Sequence, residues 1–344
     1  MGIVGCGDIA AFTAWFARFN RRIRLVACCD LAEDKASQFA QRFKIPAFYQ
    51  DHSELLHNES LDAVYLAVPH HLHYPMLGET IHAGVPALVE KPITRTLNEG
   101  VEITRLAEER DVPVGVNYQY RYDTGCYGLA KAIQGGVLGK IHYARCNLPW
   151  KRELDYFTGS RWHGSLATAG GGTLITQGSH LLDVVLWALG ARPRYAIGAI
   201  AQRKFNLEDE QYIEVEDLAQ GVIEMENGVL VQICSSMVAE PEAGLTIEIY
   251  GEKGTAIYTD KPLPLVRFRG IRIKTARPPV WGIHALQRSL EAFRAWIMEG
   301  RPYLIPARAA LPALAAVEAI YRSADSGHRE EINLPLMVAS DQVE

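Results

Sequence analysis

Three short segments carry residues able to hold a nucleotide and to move a proton. The first is Gly2-Ile3-Val4-Gly5-Cys6-Gly7-Asp8-Ile9-Ala10. An apolar strand delivers Gly5 and Gly7, and a helical pattern starts at once with Ala10 in a third small position. Gly5 permits a tight turn, and Gly7 has no side chain to block a pyrophosphate. Ala10 lets the helix lie close to the sheet, and the helix N-terminus offers N–H donors and a positive dipole end. A glycine fingerprint alone is weak evidence, because glycines also mark ordinary turns and Asp30 would serve equally as a helix cap. Here Asp30 ends the next apolar run about 20 residues on, where a ribose-binding acid belongs. A carboxylate there accepts both adenosine ribose hydroxyls and repels a 2′-phosphate. Leu31 and Ala32 follow instead of Arg or Lys, so the expected cofactor is NAD in preference to NADP. Only four residues precede Gly5, so the first strand is expected to be short or its beginning absent.

The second segment is Glu90-Lys91-Pro92, which follows another apolar run, and the third is Gly178-Ser179-His180-Leu181-Leu182-Asp183. Oxidising a carbinol requires removal of the hydroxyl proton as hydride leaves carbon, and reduction requires the reverse. A lysine held near a positive ring and partly desolvated has a lowered pKa and exchanges protons near neutrality. A surface lysine in a turn is the commoner fate, but a strand end at the carboxyl edge of a parallel sheet is where ligands of such folds bind. His180 is either a proton relay or a satisfied core histidine, with Asp183 on the same helical face. His70, His71 and His73 form a local histidine group. Two of them are adjacent and no acidic or cysteine spacing accompanies them, so no metal is expected.

The elements needed to position these residues are visible as periodicity. Apolar runs at 2–4, 25–29, 63–67, 87–90 and 114–117 alternate with helical patterns at 9–19, 32–43, 73–83 and 97–110. Thr96 and Glu99 form a capping-box signature at the last of these. Strands without polar alternation, separated by helices, predict a doubly wound parallel sheet covered on both faces. Beyond about residue 118 the rhythm changes. Helical patterns at 125–134 and 179–189 precede alternating segments at 195–201, 218–225, 229–235, 246–250 and 255–259. These are joined by turns such as Glu226-Asn227-Gly228, as in an open, mostly antiparallel sheet. Helical stretches at 283–299 and 308–326 follow. The expected organisation is α/β, with a dinucleotide-binding domain at 1–118 and a second domain for substrate and oligomerisation at 119–344.

Composition limits the remaining classes. In 344 residues, 48% are hydrophobic and 22% charged, which is globular, and a net charge of −5 gives no whole-chain pull towards nucleic acid or anionic lipid. No apolar segment is long enough to span a bilayer. The six cysteines show no C-x-x-C spacing and several lie in apolar runs. That fits a reducing compartment. No charged leader with an apolar stretch opens the chain, and the expected location is the cytoplasm.

Taken in order, the fingerprint, Val68-Pro69-His70-His71-Leu72-His73, Glu90-Lys91-Pro92, Gly115-Val116-Asn117-Tyr118-Gln119-Tyr120-Arg121 and Gly170-Gly171-Gly172-Thr173-Leu174-Ile175-Thr176-Gln177-Gly178-Ser179-His180-Leu181-Leu182-Asp183 resemble the glucose–fructose oxidoreductase / inositol 2-dehydrogenase (Gfo/Idh/MocA) family. The resemblance runs from Gly2 to the final helix, including Gly300-Arg301-Pro302. It implies a Rossmann domain, a C-terminal α/β domain whose open sheet makes homodimer or homotetramer contacts, and a sugar, cyclitol or sugar-nucleotide substrate. Lys91 falls on the family's catalytic lysine and His180 on its active-site histidine. Thr176 stands where many members carry an aspartate, and a hydroxyl neither exchanges a proton near pH 7 nor supplies countercharge to Lys91. Asp8, Ile9, Val68, Pro69, His70, His73 and Glu90 are implied to lie along the cofactor, with Gln119 facing the nicotinamide carboxamide. His70 stands where the family often has Asn. Arg121, Trp162, His163 and Asp183 are the substrate-side candidates, and His163 replaces an Arg or Lys common after that Trp. The expected activity is NAD(H)-dependent hydride transfer at a secondary alcohol or ketone of a polyhydroxylated small molecule. The alternatives are an NAD-retaining glycosidase of the same family and a non-catalytic NAD(H)-binding redox sensor.

Overall fold

The structure is a computed structural model that describes residues 1–205 and 213–335. It divides into two compact units, residues 1–119 with 279–309, and residues 120–278 with 310 onward.

The first unit is a six-stranded, wholly parallel sheet. In chain order its elements are β1 (Gly2–Val4), α1 (Asp8–Ala17), β2 (Ala27–Cys29), α2 (Glu33–Phe43), β3 (Ala47–Tyr49), α3 (His52–Asn58), β4 (Val64–Leu66), α4 (His70–His82), β5 (Ala87–Val89), α5 (Leu97–Glu109) and β6 (Val114–Val116). The strand order is β3-β2-β1-β4-β5-β6. Strand order reverses beside β1, and a crevice outside the carboxyl ends of the strands is where such sheets take ligands. β1, β2, β4, β5 and β6 are buried along their full length, which is why they are uninterrupted apolar runs. The capping box at α5 forms as expected, with Glu99 N donating to Thr96 Oγ1 at 3.3 Å and Thr96 N to Glu99 Oε2 at 3.2 Å. β3 and α3 were not anticipated. The first is a partly exposed edge strand of three residues and the second a seven-residue helix, each too short for a periodic signal.

The second unit contains α6 (Thr124–Gln134), β7 (Ile141–Pro149), α7 (Asp155–Thr158), α8 (Leu166–Ala169), α9 (Ser179–Leu189), β8 (Pro193–Ala201), β9 (Leu218–Met225), β10 (Leu230–Ser236), β11 (Thr246–Gly251), β12 (Gly254–Thr259) and β13 (Leu265–Arg269). The chain then forms α10 (Ala285–Glu299), α11 (Ala307–Ser326) and β14 (Glu330–Glu331). The eight-stranded sheet has the order β13-β12-β11-β7-β10-β9-β8-β14. All its pairs are antiparallel except β7 with β10. β7 is thus an unpredicted central strand. One face is buried, with α9 against β7 and α6 against β12 and β13. Ile320 of α11 lies so near the sheet that a Cβ on Gly221 would come within 2.7 Å of it. On the other face Tyr143, Ile197, Val222, Leu230 and Leu265 are exposed.

The first unit ends at residue 119, beside the expected boundary at 118/119, but residues 279–309 of the expected second domain group with the first unit. The reason is the open edge of β6. Val116 N donates to Ile305 O at 2.9 Å, and Gly115 bridges to Pro306. Ser289 Oγ donates to Asn117 Oδ1 at 2.8 Å, and Tyr303 OH to Val116 O at 3.2 Å. An uncovered edge strand presents unpaired backbone groups. Here residues 303–306 pair with them, and α10 lies alongside α1.

Candidate active site

The glycine turn has the geometry a pyrophosphate requires. Gly5 has φ +87°, and a Cβ there would sit 2.2 Å from Ala67 O, so backbone and strand packing both demand glycine. A Cβ on Gly7 would meet nothing within 4 Å, so the space beside the N-terminus of α1 is open. No side chain caps that helix, which leaves its first N–H groups, including those of Asp8 and Ile9, available to an anion. Asp30 is tied into the same turn. Its Oδ2 accepts from Cys6 N at 2.9 Å and its Oδ1 from Ala32 N at 3.0 Å. Each oxygen keeps acceptor capacity for a ribose hydroxyl. Gln119 adds a further fit, since its Oε1 is buried without a hydrogen-bond partner and matches the amide donor of a nicotinamide carboxamide. The residues present therefore suit a dinucleotide.

Lys91 follows β5 on the same carboxyl edge. Two strand spacings, roughly 10 Å, separate β5 from β1, because β4 lies between them. Its turn is braced from both sides. Glu90 is buried, and its Oε1 accepts from Asn117 Nδ2 at 2.6 Å and from the Tyr65 hydroxyl, which in turn accepts from Thr13 Oγ1 at 3.1 Å. Glu90 Oε2 accepts from Lys91 N at 3.3 Å. Glu90 was expected along the cofactor, but its carboxylate is engaged in holding the turn. His73, also expected along the cofactor, lies against the same turn. It is 0% exposed, with Nδ1 2.8 Å from Pro92 O and Nε2 2.9 Å from Val68 O. Burial pushes its pKa down to about 4, against the pull of the two carbonyls towards the charged form. A neutral imidazole carries one ring N–H, so it donates to one of these carbonyls and packs against the other, between the Lys91–Pro92 turn and the end of β4. His70 is buried as well, its ring 5.7 Å from that of His73, while Val68 and Pro69 are partly exposed at the start of α4. Among the described residues, no group of three or more His, Cys, Asp or Glu could hold a metal ion.

In the second unit Leu174–Gly178 form a π-helical turn that runs directly into α9. π-turns occur often at functional sites because the extra residue re-aims side chains. Thr176 and His180 are both buried, and the edge of Tyr120 lies 5.2 Å from the His180 ring. Thr176, a catalytic candidate by its place before His180, donates through Oγ1 to Gly172 O at 2.6 Å. Tyr156 hydrogen-bonds both Thr176 and Gln177, and burial raises its pKa. It also stacks on His163 at 4.2 Å, and the Trp162 ring is 3.9 Å from that of His163. Phe157 anchors this stretch in a small core with Phe205, Ile213, Val215 and Met237. Trp162, His163 and Thr176 thus gather around Tyr156, a residue the sequence reading missed. Its only signal was its place beside an aromatic anchor upstream of Trp162.

Arg121 and Asp183, expected on the substrate side, are paired with each other. Arg121 is 5% exposed and forms a two-pronged pair with Asp183, Nε to Oδ2 at 2.8 Å and Nη2 to Oδ1 at 2.7 Å. Its guanidinium carbon also lies 5.4 Å from the Trp187 ring centroid. Burial raises the Asp183 carboxyl pKa while Arg121 opposes it. A planar fork matched to a carboxylate in this way ties the short 3-10 turn at Gln119–Tyr122 to helix α9.

Comparison with known proteins matches this arrangement. Residues 1–118 match the model of an oxidoreductase family with an NAD-binding Rossmann fold, and residues 128–257 match the GFO/IDH/MocA C-terminal domain. D-apiose dehydrogenase of Paraburkholderia graminis is 27% identical, over 96% of this chain and 88% of its own. D-glucoside 3-dehydrogenase of Escherichia coli is 25% identical, over 96% and 97%. The crystal structure of the WlbA dehydrogenase from Bordetella pertussis, in complex with NADH and UDP-GlcNAcA, aligns with a TM-score of 0.84 and 26% identity, over 97% of this chain and 98% of that one. The glycine turn with Asp30, the lysine at the end of β5 and both domain matches make this chain an NAD-binding oxidoreductase of the Gfo/Idh/MocA family.

Proposed function

We propose that the protein is an NAD(H)-dependent dehydrogenase acting on a secondary alcohol or ketone of a sugar, cyclitol or sugar derivative, with Lys91 as acid–base group and His180 assisting. The observation that carries this reading is the braced turn. Glu90, Tyr65, Asn117 and His73 hold Lys91 at the carboxyl edge of the sheet that bears the glycine fingerprint. A lysine without a task needs no such support. The nicotinamide, when bound, supplies the hydride acceptor or donor. In the oxidative direction Lys91 Nζ takes the hydroxyl proton as the C–H bond breaks, and His180 hydrogen-bonds the same oxygen. In reduction Lys91 returns the proton. Gln119 Oε1 orients the carboxamide. Asp30 selects the ribose with a free 2′-hydroxyl. The polyhydroxylated substrates in the names of the relatives support a substrate of that class. Six free cysteines support a reducing compartment such as the cytoplasm. The exposed face of the second sheet supports a homodimer or homotetramer.

The test is a panel of sugars, polyols and sugar nucleotides followed by NADH absorbance, repeated with Lys91→Ala. Turnover should fall by about a hundredfold or more, the range of a lost acid–base group. The affinity for NAD by calorimetry should stay within about threefold, since Lys91 makes no part of the pyrophosphate turn. Full turnover in Lys91→Ala would remove the proposed base.

A further inference from the structure

The segment leading to His180 is held in an unusual way. The first four N–H groups of any helix lack partners within it. Here the four that open the π-turn, from Gly172 to Ile175, are taken by two residues of other elements. Glu216, just before β9, is 4% exposed. Its Oε2 accepts from Gly172 N at 2.6 Å, its Oε1 from Leu174 N at 2.9 Å, and its main-chain O from Thr173 N at 3.0 Å. Tyr321 of α11 accepts from Ile175 N at 3.3 Å and donates to Glu216 Oε1 at 2.9 Å. The first bond within the turn follows at once, Thr176 N to Gly172 O at 3.1 Å.

Steric fit fixes the same frame. A Cβ on Gly172 would come within 1.8 Å of Glu216 O, and one on Gly171 within 2.3 Å of Tyr321 OH. A negative carboxylate at the positive end of a helix is favourable, and more so when buried. Burial raises the Glu216 carboxyl pKa, the bonds from Leu174, Gly172 and Tyr321 opposing it. Among the described residues, the Glu216 carboxylate is held by backbone N–H groups and the Tyr321 hydroxyl. A capping side chain such as Ser or Asp would satisfy the helix end more cheaply. The gain is geometric: the helix start is docked at four consecutive atoms and cannot rotate or slip by one residue. His180 lies five residues after the last of them.

We infer that Glu216, supported by Tyr321, is the positioning residue for His180, fixing the rotational frame of the π-turn and α9 so that the imidazole presents one defined orientation. The inference rests on His180 being the assisting acid–base group only where turnover is the readout.

The experiment therefore uses two readouts. Imidazole 15N–1H spectra of the full chain, with the His180 signal assigned by its loss in His180→Gln, are titrated for wild type, Glu216→Gln and Tyr321→Phe. Tyr321→Phe removes one oxygen and serves if Glu216→Gln fails to fold. Its expected result is a His180 pKa displaced by about half a unit or more, as a changed hydrogen-bond environment produces. The second readout is turnover on whichever substrate the panel identifies. Tyr321→Phe should lower kcat by about tenfold to a hundredfold, the scale of a misplaced catalytic group. KM for NAD should not change, and the same substitution should have almost no further effect in a His180→Ala background. An unmoved His180 resonance in Tyr321→Phe, or losses that multiply in the double variant, would overturn the inference. Equal turnover of wild type and His180→Ala would instead remove the functional reading of His180, and the spectra would still decide the role of Glu216.

Discussion

Asp30 shows how one side chain performs two tasks in the glycine turn. It holds the turn through Cys6 N and presents remaining lone pairs outward. Replacing it with alanine removes both effects. Hydrogen bonds to a charged group contribute about 1.5–3 kcal/mol, so Asp30→Ala should weaken NAD by roughly tenfold to a hundredfold. The affinity for NADP, whose 2′-phosphate Asp30 repels, should fall much less or improve. Calorimetry with both nucleotides checks this, and equal losses for the two would mean that Asp30 only braces the loop. The candidate residues Lys91 and His180 were legible at this scale because their residue types and neighbours form compact motifs. Tyr65, Tyr156 and Glu216 were not. Each lies in an apolar or alternating stretch that reads as ordinary core, and their bonding partners are distant in sequence.

At the scale of elements, local periodicity found the strands and helices around the glycine turn and much of the second sheet. What it could not find were elements defined by partners. β7 is central because β10 and β11 pair with it on either side, and the first N–H groups of the π-turn are taken by Glu216 and Tyr321, distant in sequence. The α4 segment teaches a related lesson. His73 was expected along the cofactor, and it lies fully buried between the end of β4 and the Lys91 turn. Burial pushes its pKa down to about 4, below the ordinary imidazole value of about 6.5. As pH falls from about 6.5 towards 4, the unfolded chain binds a proton that the folded ring does not. Stability present at neutral pH is therefore lost on acidification, by roughly 3 kcal/mol once pH is below 4. Urea unfolding of the first unit at pH 7 and pH 5 should show the loss, and His73→Gln should reduce the difference. A wild-type midpoint unchanged between those values would contradict a neutral buried ring.

At the scale of the whole molecule, the exposed face of the second sheet is the feature on which the proposed homo-oligomer rests. Ile197 and Val222 are cross-strand neighbours there, and Leu230 pairs with Tyr143 two residues further along the same face. A lone soluble chain rarely leaves so many large apolar side chains in one row of a sheet. Val222→Asp, placed in the middle of that row, should convert a dimer or tetramer to monomer in light scattering while leaving the secondary structure intact. A wild-type monomer at micromolar concentration would end the proposal. The placement of residues 279–309 was the largest organisational feature that periodicity missed, since a helical pattern at 283–299 says nothing about which sheet it covers.

That placement has a consequence for how the chain is made. The partner of β6 lies near residue 305, so the ribosome releases Val116 long before Ile305 exists. At ordinary elongation speeds the gap is roughly 10–40 s. Throughout it, the nascent nucleotide-binding half carries a bare sheet margin, and its maturation must wait for nearly the whole of the second half to be translated.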